Sequence, residues 1–185
     1  MKGTGKSTLW ALLIITSAFV SAQDVSVIGN QAFQGASGRA AVNMAAGNFN
    51  QQANNHAIGQ EASVRQSNLL MADDWQAGDG EAISSIESMA FAGFTGMLSV
   101  NQVSGNQNLQ INAGAISSLP TALEDRDLTL VSAMTPGMIA DAPAGQTLIA
   151  ADSLSQAQGV IQLNQISGNS NVAVNQFSLQ LSGGN

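Results

Sequence analysis

A twelve-residue pattern that occurs three times constrains this chain more than any other feature. Residues 101–112 and 164–175 are identical at seven of twelve positions, and three further positions exchange one aliphatic residue for another. Residues 43–54 share the skeleton Asn-x-x-(Ala/Ser)-Gly-Asn-x-Asn-x-x-x-Asn. For this composition the five fixed Asn and Gly positions would recur by chance with a probability of roughly 10⁻³. The copies start 58 and 63 residues apart, so we expect repeat units separated by spacers.

Each repeat predicts two short strands about a turn. Leu109 and Ile111 alternate with polar residues, as Val172 and Val174 do, and a period of two is typical of a β-strand. The Ser-Gly-Asn sequences at 104–106 and 167–169 are turn signals. The predicted fold class is therefore all-β, with imperfect-repeat β-hairpins or β-arches stacked as a short β-solenoid or cross-β assembly and joined by irregular spacers.

The composition of the repeats favours stacking. The three copies contain no charged residue, and half of their residues are Asn or Gln. Identical amides in register form hydrogen-bonded ladders along a fibre, and aliphatic residues on the other strand face form a dry stripe. Low-charge, amide-rich strands also occur in soluble β-solenoids, where the amides face water, so both readings stay open. The residues predicted to carry self-assembly are Asn43, Asn48, Asn50, Asn54, Asn101, Asn106, Asn108, Leu109, Ile111, Asn112, Asn164, Asn169, Asn171, Val172, Val174 and Asn175.

Residues 1–22 have the pattern of a secretory signal peptide. Lys2 and Lys6 precede an apolar run over 9–20, and Val20-Ser21-Ala22 places small residues before a cleavage point at Gln23. A membrane anchor needs about 20 apolar residues, which is longer than this run, although an uncleaved anchor is the alternative. Cleavage would leave three Arg and twelve acidic residues, a net charge of −9.

The rest of the chain divides between repeats and spacers. In the acidic spacer, Ile83, Ile86, Met89 and Ala90 have a helix-like spacing that predicts one short amphipathic helix. The second spacer carries all three prolines, which favours a linker or an irregular edge. The predicted segments are a first repeat region at 23–60, the acidic spacer at 61–97, a second repeat region at 98–117, the Pro-containing spacer at 118–158, and a third repeat region with the tail at 159–185.

The composition leaves little room for catalysis or cofactor binding. The chain has no Cys, which excludes a disulfide, a thiolate nucleophile and a cysteine metal site. His56 is the single histidine, too few for a zinc site. Five Lys and Arg against twelve acidic residues give no electrostatic basis for nucleic-acid binding. We therefore expect no enzyme activity, cofactor, metal, nucleic acid or small-molecule substrate.

An acidic run supports one alternative function. Asp73, Asp74, Asp79 and Glu81 lie close together around Trp75. Their spacing does not match the twelve-residue calcium loop, but clustered carboxylates can bind hard cations. The alternative is a monomeric β-rich surface adhesin module that binds carbohydrate or calcium through this spacer.

The first repeat carries a family resemblance. Residues 36–54 read Ala-Ser-Gly-Arg-Ala-Ala-Val-Asn-Met-Ala-Ala-Gly-Asn-Phe-Asn-Gln-Gln-Ala-Asn, which resembles the repeat of the Fap functional-amyloid proteins of Gram-negative biofilms. The resemblance implies an exported protein that forms, nucleates or escorts fibres at the cell surface or in the extracellular matrix. Its implied partners are itself, other fibre subunits and the outer-membrane secretion machinery. Fibre subunits of that family end in Cys-x-x-Cys, which this chain lacks, so the resemblance implies an accessory or adhesin-like member.

Overall fold

The computed structural model describes residues 23–65, 80–118, 122–124 and 145–181, and this part of the chain contains strands and turns without a helix. The all-β prediction is confirmed. The eleven strands are β1 Asp24–Ile28, β2 Ser37–Ala46, β3 Gln51–Gly59, β4 Ser63–Arg65, β5 Ala82–Ile86, β6 Thr95–Ser104, β7 Leu109–Ser117, β8 Ala122–Glu124, β9 Gly145–Ile149, β10 Gln158–Ser167 and β11 Val172–Gln180.

The strands form parallel sheets in which repeats pair with repeats. Sheet A has the order β1-β5-β9, sheet B has β2-β6-β10, sheet C has β3-β7-β11, and β4 pairs with β8 in sheet D. The pairing is in register, so that each position of one repeat lies beside the same position of the next. We call 24–59, 82–117 and 145–180 the first, second and third rungs, each contributing one strand to each of sheets A, B and C.

The two strands of a repeat form a β-arch and not a hairpin. β2 and β3 follow each other along the chain, but β2 pairs with β6 in sheet B, and β3 pairs with β7 in sheet C. Sheet B packs between sheets A and C, and sheet D packs against sheet C. The stacked β-solenoid arrangement expected from the repeats is confirmed.

The helix predicted from residues 83–90 is wrong. Ile83 and Ile86 lie in β5, where Ala82, Ser84 and Ile86 are buried and the residues between them are less so. Met89 has a φ of 55° and lies in a turn. This turn bonds to its neighbouring rungs, because Phe33 N donates to Ala90 O and Phe91 N donates to Ser153 O. Bonds between rungs take the place of the i to i−4 bonds that a helix would require.

Each rung begins with a strand that the repeat pattern did not predict. β5 lies within 61–97 and β9 lies within 118–158, the two ranges that the sequence indicated as spacers. These strands contain no Asn and share one identical residue, the column of Ile28, Ile86 and Ile149.

In the described part of the chain no helix is long and apolar enough to cross a membrane.

The apolar core lies between sheets A and B. Phe91, Phe94 and Leu98 of the second rung are almost completely buried there. Phe33 of the first rung stacks on Phe91, with ring centroids 5.3 Å apart. The second rung is the most buried because it has a neighbouring rung on both sides. Stacking of rungs, more than packing within one rung, therefore removes apolar surface from water.

Candidate assembly surface

Two columns of asparagine face each other across the space between sheets B and C. One column contains Asn43, Asn101 and Asn164, in register in sheet B. Asn101 Nδ2 donates to Asn43 Oδ1 at 3.0 Å, and Asn164 Nδ2 donates to Asn101 Oδ1 at 3.0 Å. The second column, in sheet C, bonds in the same direction: Asn112 donates to Asn54 at 2.9 Å, and Asn175 donates to Asn112 at 3.2 Å.

The two columns are also bonded to each other. Within each rung the sheet C asparagine donates to the sheet B asparagine, as Asn112 does to Asn101 at 3.0 Å. Asn101 and Asn112 are 0% exposed. An amide carries both donors and an acceptor, so each rung satisfies its own groups and those of its neighbours without charge. A buried carboxylate at these positions would lack the donor and carry a charge that this space does not balance.

Two further columns lie in the arcs that join sheets B and C. Asn106 Oδ1 accepts from Asn48 N at 2.7 Å, and Asn169 Oδ1 accepts from Asn106 N at 2.7 Å. The column of Asn50, Asn108 and Asn171 bonds in the opposite direction, since Asn108 Nδ2 donates to Asn50 Oδ1 at 3.0 Å and Asn171 Nδ2 donates to Asn108 Oδ1 at 3.1 Å. All twelve predicted asparagines therefore stand in four continuous ladders within one chain.

The predicted aliphatic stripe is in register but uneven in burial. Leu109 pairs with Val172, and Ile111 pairs with Val174. Leu109 and Ile111 are buried, whereas Val172 is 42% exposed. The first rung has Gln51 beside Leu109. The stripe is therefore driest in the middle of the stack.

Glutamine columns were missed by the repeat pattern. Gln102 Nε2 donates to Ser26 O at 2.9 Å and to Ser85 O at 2.8 Å, and so ties sheet B to sheet A. Gln165 Nε2 continues the column with a bond of 3.1 Å to Gln102 Oε1. The first rung has Met44 at this position. A search for positions fixed in all three copies cannot find a column that occupies only two rungs.

A gap in the second rung is filled from both neighbouring rungs. His56, Gly114 and Phe177 share one column of sheet C. A Cβ on Gly114 would overlap the Phe177 ring, so the ring occupies the space that a side chain in the second rung would fill. His56 lies on the other side, its ring 5.9 Å from that of Phe177.

The surroundings of His56 favour its neutral form. Burial lowers the pKa of His56 below its ordinary value of 6.5; the hydrogen bond to Gln162 opposes that shift, and the nearby charge of Arg39 adds to it. Gln162 uses its Nε2 to donate to Ala113 O and Asn175 O, so its Oε1 accepts from His56 Nε2. That assignment leaves His56 Nδ1 free to accept from the Arg39 guanidinium, 3.4 Å away.

Charged residues are rare in the strands of the three rungs, and no column of these strands contains two of them. Among the strands of the three rungs, Asp24 and Arg39 are the only Asp, Glu, Lys or Arg residues. Asp24 stands in a column with Ala82 and Gly145. Arg39 stands with Met97 and Val160. No like charges therefore meet one rung apart, where they would repel at about 4.8 Å.

The residues of the alternative binding site are mostly not described. Asp73, Asp74, Trp75 and Asp79 lie outside the described residues. Glu81 bonds to neighbouring rungs, accepting from Gln23 Nε2 at 3.2 Å and from Gln146 Nε2 at 2.9 Å. Within the described ranges no three His, Cys, Asp or Glu side chains are grouped so that they could hold a metal ion.

Comparison with known proteins identifies the family of this chain. The sequence profile of the functional amyloid protein FapB/FapC family matches residues 14–182, which is most of the chain and includes all three rungs. No solved structure matches the chain. The matched residues include all four asparagine ladders.

Proposed function

Since the chain belongs to the functional amyloid protein FapB/FapC family, we propose that it is an exported, non-catalytic protein that forms or nucleates cell-surface fibres by stacking its rungs through the asparagine ladders. The family supports the role in biofilm fibres. Beyond the role that the family supports, we propose that the chain is exported, that the ladders drive assembly, and that it has no catalytic activity.

The main support for this proposal is that the ladders continue to both ends of the stack. Among the described residues, the first and third rungs of sheets B and C each pair on one side only. Each end therefore presents unpaired strand edges and four asparagines at the spacing of the ladders. Unpaired edges are templates for pairing with another chain. A rung added at either end would extend every ladder and hydrogen-bond both edges.

The distribution of charge and the pattern of burial also favour such stacking. The columns are free of repeated charge, so each new rung adds amide bonds without Coulomb repulsion. In this column burial is greatest in the middle of the stack: Asn101 is 0% exposed, Asn164 of the third rung is 5% exposed, and Asn43 of the first rung is exposed. Addition of a chain would convert an end rung into a middle rung and bury it in the same way.

Fibre formation by the purified chain is the direct test. We expect thioflavin fluorescence and a diffraction pattern with spacings of about 4.8 Å along the fibre and about 10 Å across it. As the control, the variant N101D/N112D places two carboxylates in the paired columns and should stay dispersed. A wild-type chain that neither forms fibres nor seeds them in related subunits would contradict the proposal.

Export has its own test. N-terminal sequencing of the protein recovered outside the inner membrane should give a product that starts at Gln23. Mature protein that retains Met1 in the cytosol would contradict the exported location while leaving the fibre proposal standing.

A further inference from the structure

The asparagine ladders alone do not specify the order in which the three rungs of one chain stack. Each ladder has asparagine in all three rungs, so the same amide bonds would form whichever two rungs were neighbours. The connections do not impose the order either, because the ranges 60–81 and 118–144 are long enough to pass one rung at about 3.3 Å per extended residue. A single order therefore requires positions that differ between rungs.

One such position lies in the core between sheets A and B. The residues that precede sheet B in successive rungs are Ala36, Phe94 and Ala157. Thr95 N donates to Ala36 O at 3.0 Å. Gln158 N donates to Phe94 O at 2.7 Å, so the large residue lies between the two alanines. Phe94 is 1% exposed, and both alanines pack against the cluster that contains it. In an end rung this ring would be covered from one side only, and the two alanines would face each other across unfilled space.

The opposite pattern lies between sheets B and C. Gly114 stands between His56 and Phe177, so here the second rung has the smallest residue of the column. Gly114 has no positive φ, and its backbone therefore does not require glycine. A Cβ at this position would overlap the Phe177 ring. The glycine is thus required by a side chain of the neighbouring rung.

A direct contact between the first and third rungs depends on the same glycine. His56 Nε2 lies 2.6 Å from Gln162 Oε1 of the third rung and 3.2 Å from Ser99 Oγ of the second. In any order that moves the second rung to an end, Phe177 would stand directly beside His56 with no glycine between them. The space at Gly114 would then be filled from one side only.

We infer that Phe94 and Gly114 together specify the order of the rungs by placing the second rung in the middle of the stack. The ladders stabilise contact between any two rungs, and this pair makes one order more stable than the others. A second rung beside another second rung would have neither an alanine next to Phe94 nor a ring to fill the space at Gly114. The inference concerns the inside of one chain and does not depend on fibre formation.

Cysteine cross-links measure the order directly, because the chain has no cysteine of its own. Val27, Ser85 and Leu148 share one column of sheet A. Neighbouring rungs, about 4.8 Å apart, are within reach of a disulfide, whereas positions two rungs apart, about 9.6 Å, exceed its Cα limit of about 7 Å. Oxidised V27C/S85C and S85C/L148C should therefore form a link within the monomer. V27C/L148C should be linked at least about tenfold less.

Moving the pair to another rung tests the inference. The variant F94A/A157F/G114F/F177G keeps the composition of the chain and transfers the large and the small position to the third rung. We expect the third rung to stack in the middle, so that the V27C/L148C link becomes abundant and the V27C/S85C link falls about tenfold. A variant that folds, as judged by circular dichroism, and keeps the wild-type links would overturn the inference.

A second variant decides the question if the four changes prevent folding. F94A/F177A removes the ring between the alanines and the ring that fills the space at Gly114, and it overpacks no position. It should make the V27C/L148C link at least about tenfold more abundant than in the wild type. The matched control F33A/F91A also removes two rings but leaves Phe94 and Gly114 in place, so its links should match those of the wild type.

The outcomes separate this inference from the proposed function. Links are counted in the monomer, at concentrations at which no fibres form. If F94A/F177A keeps the wild-type order, or if F33A/F91A loses the order to the same extent, Phe94 and Gly114 do not specify it, and the proposed function stands. If V27C/S85C does not link in the otherwise wild-type chain, the first and second rungs are not neighbours and the inference is wrong.

Discussion

His56 of the first rung reaches Gln162 of the third rung, and the two side chains meet with Nε2 and Oε1 2.6 Å apart. The contact passes the second rung at Gly114, where there is no side chain to block it. Phe177 fills the same gap from the third rung. At the column of Gly114 the first and third rungs therefore touch directly.

Adding a methyl group to Gly114 should destabilise the stack. The new Cβ would overlap the Phe177 ring. Overpacking of this kind typically costs about 1–3 kcal/mol. Denaturant unfolding of G114A, followed by far-ultraviolet circular dichroism, should show a loss of that size.

The matched control removes the ring. F177A should lose stability because a cavity opens, but the double variant G114A/F177A should be more stable than the sum of the single effects predicts. The coupling between contacting residues is commonly about 0.5–3 kcal/mol. Additive effects would mean that the ring does not occupy the gap.

Stability should fall as the pH drops below 6.5. Burial lowers the pKa of folded His56 from 6.5, so below that pH the unfolded chain binds more protons than the folded chain. The free energy of unfolding then decreases as the pH falls towards the folded pKa, by at most about 1.4 kcal/mol per pH unit for one group. Protonation would also place an N–H at His56 Nδ1, so that this donor would face the Arg39 guanidinium, which is itself a donor.

The H56Q variant isolates this effect. Glutamine can still bond to Gln162 but does not titrate. Its unfolding free energy should be flat between pH 6.5 and about pH 5, above the range in which free carboxylates protonate. Equal slopes in wild type and H56Q over this window would rule out His56 as the cause.

Acidification to about pH 4 should promote association, because free carboxylates protonate near this pH and a net charge close to zero favours association. After cleavage the chain would carry three Arg against twelve acidic residues, while the repeats carry no acid. Light scattering should therefore rise as the pH is lowered from neutral. A flat signal over this range would show that electrostatic repulsion between the acidic segments outside the repeats does not limit stacking.

The asparagine ladders could be predicted from the sequence because their positions are fixed in all three copies. Spacing alone placed Asn108 beside Asn171, since parallel strands in register pair equal positions. The arch was predictable only as an alternative to a hairpin, because a turn signal such as 104–106 does not specify which sheet the next strand joins.

Other features depend on tertiary contacts that no local pattern records. β5 and β9 lack asparagine, and the spacing of Ile83, Ile86, Met89 and Ala90 imitates a helix although those residues form a strand and a turn. The Asn169 Nδ2 group, which has no hydrogen-bond partner among the described residues, can be recognised as the end of its ladder only once the direction of that ladder is known. The glutamine ties from Gln102 and the gap at Gly114 likewise involve partners in other rungs.

Replacing Asn108 and Asn171 with Asp should abolish fibre growth. Asn108 donates to Asn50 Oδ1 and to Gly168 O, and Asn171 donates to Asn108 Oδ1. Aspartate cannot donate these bonds, and two carboxylates one rung apart repel by about 1–3 kcal/mol at a surface-like dielectric. Each added chain repeats the cost. Thioflavin kinetics measure the effect.

The comparison variant changes the acidic spacer. Asp73 and Asp79 lie outside the described residues, and D73N/D79N should leave growth unchanged or faster because it removes charge. A carbohydrate- or calcium-binding module predicts the reverse pattern, with binding lost in the spacer variant and mild effects in the ladder variant. Wild-type growth by both double variants would exclude the ladders as the assembly element.

Mass per length of wild-type fibres, measured by scanning transmission electron microscopy, tests the central claim most directly. Three stacked rungs per chain predict one chain for about every 14 Å of a single protofilament, three times the rung spacing of about 4.8 Å. Diffraction from the same fibres should show that rung spacing along the fibre axis. A mass of one chain per rung would contradict the account, because each chain would then be flattened into one layer and the ladders between residues 43–54, 101–112 and 164–175 could not lie within one molecule.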